Sequence, residues 1–160
     1  MALKGIGGWL ILVAIGMITI PLSFFYALYM DIAFINDPQF AGYESAFIIE
    51  GLVSLIFGLC SLHVARLFFT KDSDLPKMII YLFMGNAIWS VLDTMLVMAV
   101  FEMGLEQSDI VDTMQPILSA LIWIPYFKKS VRVKNTFGDR PNRLGGYEKG
   151  NLYQQSDNLD

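Results

Sequence analysis

The chain has 160 residues, 55% of them apolar and only 16% charged, with a mean hydropathy of +0.52. Soluble domains carry about a quarter charged residues, and a chain this short buries only about 70% of its surface on folding. The apolar surplus therefore needs lipid as its solvent. The glycine, cysteine and aromatic counts exclude collagen-like, disulfide-framework and disordered classes, and Cys60, the single cysteine, has no intramolecular disulfide partner.

Four apolar stretches follow one another, at about residues 6–30, 47–69, 78–101 and 110–127. Each is long enough, or nearly so, to cross a hydrocarbon core of about 30 Å at about 1.5 Å per residue. The fourth is the shortest and contains Asp112, Pro116 and Pro125, so a re-entrant or buried segment is the alternative there. Lys4 ahead of the first stretch suggests a signal peptide, but its length, Pro21 and the lack of a small-residue cleavage site favour a retained span.

The connections are short. Residues 31–46 hold the turn formers Asn36, Asp37, Pro38 and Gly42, residues 70–77 place Pro76 at the start of the third helix, and residues 102–109 offer Ser108 or Asp109 as an N-cap. Sequential helices joined this closely are antiparallel neighbours. From residue 128 to 160 the chain turns polar and Gly-rich without periodicity; it reads as a basic juxtamembrane segment and a disordered tail. The expected fold is all-α: a four-helix transmembrane bundle over residues 1–127, followed by that tail.

Charge gives the orientation. The formal net charge is −4, but the signs are segregated. All eleven basic residues fall at the N-terminus, in the second loop or in the tail. The two opposite loops hold none, only Asp31, Asp37, Glu44, Glu102, Glu106 and Asp109. By the positive-inside rule both termini are cytoplasmic. Trp9 and Tyr126 near the inner face, and Tyr26 and Tyr29 near the outer one, suit the aromatic belts of a bilayer.

Polar groups inside a membrane need partners or water. The third span carries Asn86, Ser90 and Asp93 on one face, the fourth Asp112, Gln115 and Ser119, and the second Glu50, Ser54 and Ser61 beside Gly58. Close helix packing accounts for the serines and glycines. It accounts less well for Glu50, about one turn in from the outer end, and Asp93, about two turns in. With no lysine or arginine in the outer half, each carboxyl must be protonated, hold a cation or face water.

Two roles follow. Glu50, Asp93 and Asp112, with Gln115 beside them, form a proton or cation site open to the outside and extended inward by Asn86 and His63, or Asp93 is a protonated donor that locks helix register. His63 alone reads more simply as an interhelical hydrogen-bonding group. Lys128, Lys129, Arg132 and Lys134 anchor the topology and can contact anionic headgroups. Nothing points to an enzyme, a cofactor, a metal or nucleic acid: no nucleotide-binding loop or paired cysteine is present, and Gly5, Gly7 and Gly8 follow no strand.

Gly5-Ile6-Gly7-Gly8-Trp9-Leu10-Ile11-Leu12 with Pro21 downstream, Glu50, Phe68-Phe69, Leu75-Pro76, Asn86 and Asp93 form a distinctive set. Trp123-Ile124-Pro125-Tyr126-Phe127, leading into Ser130-Val131-Arg132-Val133-Lys134-Asn135-Thr136-Phe137, completes it. The set resembles the YdgK-like proteins, a family of small four-span bacterial inner-membrane proteins classed as a domain of unknown function. The resemblance covers about residues 5–137. It implies a bacterial inner membrane and four helices, and brings no activity, substrate or cofactor.

The expectation is therefore a multi-pass inner-membrane protein, non-enzymatic, acting as an accessory or assembly component. Its partners would be the lipid bilayer and other membrane proteins or further copies of itself. The alternative is a small proton- or cation-coupled transporter that uses its intramembrane carboxylates.

Overall fold

The computed structural model describes residues 5–101 and 107–138. Its elements are α1 (Trp9–Ile35), a 3-10 turn (Pro38–Phe40), α2 (Glu44–Phe69), α3 (Leu75–Phe101), α4 (Gln107–Lys129) and α5 (Val131–Phe137). No strand occurs among the described residues. Four of the helices are long and apolar enough to cross a membrane. Large side chains such as Ile15, Leu22, Leu52, Ile88 and Leu121 point away from the bundle, the surface that hydrocarbon solvates.

Two antiparallel hairpins, α1–α2 and α3–α4, are each packed more extensively than the α2–α3 face that joins them. The first hairpin is held by a three-four repeat. Leu10, Val13, Met17, Pro21, Phe24, Leu28 and Asp31 line one stripe of α1, and Phe47, Gly51, Ser54, Gly58, Ser61, Ala65 and Phe68 line the facing stripe of α2. Lipid supplies no hydrophobic drive between helices, so close van der Waals approach decides. Small residues permit it: a Cβ on Gly58 would lie 3.3 Å from the Phe25 ring, and one on Gly51 would lie 3.4 Å from Leu28. Phe57 extends the contact sideways, stacked on Phe24 at 5.3 Å between centroids and seated against Gly85 of α3.

The hairpin turn is closed by Asp37, whose carboxylate accepts from the Gln39 N–H at 2.9 Å, and by the cluster of Phe34, Phe40 and Phe47. Here the sequence boundary moves. α1 continues past Met30 to Ile35, so Asp31 is a helical residue and not a loop residue. Similarly α4 begins at Gln107 and runs unbroken through Pro116 and Pro125. It is a full-length helix rather than a re-entrant segment, and positions 108 and 109 stand inside its first turn rather than capping it.

The core lies toward the end where the basic residues gather, called the basic end below. Leu10, Val13, Met17, Val64, Phe68, Leu75, Ile79, Leu82 and Phe127 are buried there. Toward the opposite, acidic end the packing loosens: α3 has no fully buried residue from Phe83 to Val100, whereas Leu75, Ile79 and Leu82 are buried.

The basic end is closed by α5, where a basic juxtamembrane segment leading into a disordered tail was the expectation for residues 128–160. Ser130 caps it, its hydroxyl oxygen accepting from the Val133 N–H. Val133 and Phe137, four residues apart, drive one face into the core, and the Phe137 ring meets Phe68 at 5.7 Å. Thr136 accepts from the Gly5 N–H at 3.1 Å, which ties the two ends of the bundle sequence together. The tail from residue 139 lies outside the described residues.

A Phe137→Ala substitution empties a site that is 1% exposed and is expected to cost about 3 kcal/mol or more. Val131→Ala, on the open side of the same helix, is expected to stay within about 0.5 kcal/mol of the parent. Thermal unfolding in detergent checks this, and equal midpoints for the two variants would refute the docking of α5.

Candidate functional site

Asp31 is the residue that reorganises the sequence reading. It is 8% exposed, because the stripe that buries Leu10, Val13 and Met17 arrives at position 31 after four further steps of three or four residues. Gly51 leaves room for it: a Cβ there would lie 3.5 Å from the Asp31 Cβ and 3.7 Å from its Oδ2. Ser54, one step along the α2 stripe, lies beside the Asp31 carboxyl.

Glu50 of α2 and Asp93 of α3 complete a cluster in which three carboxyls from three helices lie within electrostatic reach of one another. By helical rise they sit about 6, 9 and 12 Å inside the acidic ends of their helices. Asp31 Oδ2, Glu50 Oε1 and Asp93 Oδ1 are all buried without a hydrogen-bond partner among the described residues. No lysine or arginine occurs between residues 5 and 65 or between 78 and 127, so the chain has no cation to give them at this depth. Among the described residues no three such side chains come close enough to hold a metal ion together.

Two turns toward the basic end on the same face of α3, Asn86 opens onto a cavity of about 150 Å³ between α1, α3 and α4. Ser23, Gln115 and Ser119 supply its other polar walls; Phe24, Phe83 and Pro116 are among its apolar ones. Between cavity and cluster, Ser90 donates to the Ala87 and Thr113 carbonyls. Thr94, Thr113 and the Asp109 carbonyl continue the chain of hydrogen bonds, latching α3 to α4 beside Asp93.

The remaining sequence candidates lie elsewhere. Asp112 is exposed on α4 and does not join the carboxyls, and His63 is exposed on the outer side of α2. Gln115 lines the cavity although much of it is open. Lys128, Lys129 and Lys134 are exposed at the basic end, whereas Arg132 is half-buried. Its Nη1 would be only 2.7 Å from a Cβ on Gly8, the left-handed residue (φ 56°) that opens α1. The packed Arg132 thus belongs to the seal of the basic end and not to the open basic surface.

Four apolar spans, lipid-compatible flanks and carboxyls set among helices define a multi-pass integral membrane protein. Residues 3–138 match the family model described as a protein of unknown function (DUF2569), and the chain belongs to that family. Comparison with curated proteins and with solved structures gives no match.

The seam at Gly51 can be tested by size. Gly51→Ala places its methyl at ordinary contact distance from Asp31 and is expected to leave the thermal midpoint nearly unchanged. Gly51→Val drives a second methyl against Leu28 or Asp31 and is expected to cost about 1–3 kcal/mol. Equal midpoints in detergent would show that α1 does not approach α2 at this level.

Proposed function

We propose that this protein is a small, non-enzymatic, proton-coupled carrier of the inner membrane, with Asp31, Glu50 and Asp93 as its proton-binding groups. The observation that carries the reading is the convergence of three partnerless carboxyl oxygens from three helices in a region with no basic residue. Intramembrane acids that face a bundle interior serve most often in proton relays or solute pathways. A structural lock would need only one acid with one acceptor.

By the excess of basic residues at one end, both termini lie in the cytoplasm and the carboxyls open toward the outer face. Protons arriving from outside would be exchanged among the three groups. The like charges of Asp31, Glu50 and Asp93 oppose simultaneous ionisation, so gain or loss of one proton alters the balance at the other two. That coupling supplies the difference between two states of the bundle that any carrier requires.

Electrical recording on supported membranes tests the reading without knowledge of the solute. A step in pH on the outer side is expected to give a transient charge displacement as protons enter the membrane dielectric. Asp93→Asn, which keeps the hydrogen-bonding shape but cannot ionise, is expected to fold and to lose most of that displacement. The same transient in parent and Asp93→Asn proteins, or none in the parent, would contradict proton binding at this site. A solute that converts the transient into a sustained current identifies what is carried.

A second reading, an accessory subunit packed against other membrane helices, is favoured by His63. It stands about 9 Å inside the end of α2, exposed on the side facing away from the bundle, where a neighbouring helix would satisfy it. Stoichiometric co-purification of a membrane partner that is lost in His63→Leu would support this reading.

A further inference from the structure

We infer that the cavity between α1, α3 and α4 is a water chamber that carries the outer aqueous phase from the carboxyl cluster down to the middle of the membrane. The inference rests on the proton-binding reading for its purpose, but its evidence is separate. Purely apolar cavities of about this size stay dry, whereas water is held where several polar groups line sufficient space. At about 150 Å³ the chamber has room for several waters, and Ser23, Asn86, Gln115 and Ser119 converge on it.

Ser23 already donates to the Ile20 carbonyl at 2.8 Å, which leaves its oxygen free to accept. No hydrogen bond joins the side chains of Asn86, Gln115 or Ser119 to another described residue. Two carboxamides and a hydroxyl without partners would cost several kcal/mol in hydrocarbon. Pro116, itself in the wall, also removes the helical donor from the Asp112 carbonyl. The walls together offer donors and acceptors but no formal charge, the set that suits small uncharged hydrogen-bonding molecules and, at this volume, water.

The chamber lies near the midpoints of its three helices. Asn86, Ser90 and Asp93 connect it to the carboxyls along one face of α3, a rise of about 10 Å over seven residues. Toward the basic end, Val13, Met17, Ile79 and Leu82 are packed and buried. Polar residues therefore continue from the chamber in one direction only, and the half-channel we infer ends on a dry plug.

Silver-ion accessibility tests the chamber, because silver reacts with a thiolate and a thiolate forms only where there is water. In a Cys60→Ala background, silver is applied to the acidic face of oriented vesicles, and later alkylation in denaturant reads what remains unreacted. Ser119→Cys is expected to lose its alkylation about tenfold, while Ile79→Cys in the plug and Leu118→Cys on the lipid face keep theirs. Ser23→Cys repeats the measurement from α1 should the α4 variant fail to fold.

Full alkylation of both serine-site thiols would overturn the chamber, and equal loss at Ile79→Cys would overturn the plug. The labelling reads water and not protonation. Unlabelled thiols with charge displacement intact would overturn this inference alone, and labelled thiols without displacement would overturn the proton reading alone.

Discussion

A carboxyl group among apolar helices has no inexpensive state: ionised, it lacks water, and neutral, it still requires hydrogen-bond partners. The acidic half of this bundle brings three such groups together, Asp31, Glu50 and Asp93, and the chain contains no basic residue at their level. Much of the architecture can be understood as the means of keeping them there. The glycine seam on α2 brings Asp31 inward at Gly51. The hydroxyl latch between α3 and α4 steadies the helix that carries Asp93, and the packing loosens where polar groups need access.

The asymmetry of packing has a corresponding logic. At the basic end, Phe68, Leu75, Ile79, Phe127 and the α5 residues Val133 and Phe137 form a dense core, and Arg132 and Thr136 bind the start of α1 to the end of the bundle. Toward the acidic end α3 is only partly covered. Under the proposed function, a bundle sealed at one end and loosened at the other would admit water and protons from one side without dissipating a gradient. The two hairpins are each well packed and joined by a narrower face, and would be the rigid units of the two-state change that the proposed function requires.

Much of this was legible in the sequence because lipid imposes a simple code. Apolar length marked the four spans, and the segregation of lysine and arginine marked the two ends. Glu50, Asn86 and Asp93 stood out because polar side chains in hydrocarbon are costly. Asp31 is not legible as an interior residue, because a charged residue after an apolar run looks like the end of a span. The three-four stripe from Leu10 through Leu28 was the available signal, and continuing it by one step reaches Asp31. α5 is not legible because, of its three apolar residues, only Val133 and Phe137 stand at helical spacing, too short a pattern to mark a buried face. The outward placement of Asp112 and His63 could not be read from spacing alone, since a polar residue shows which face it occupies but not which neighbour that face meets.

The central claim is that Asp31, Glu50 and Asp93 form one interacting group. Site-resolved carboxyl NMR of the full chain in bilayers, titrated in the parent and in Asp93→Asn, tests it most directly. The account predicts that Asp31 and Glu50 both change their titration when Asp93 can no longer ionise, with the helical backbone signals unchanged. Titrations of Asp31 and Glu50 that are identical in the two proteins would contradict it.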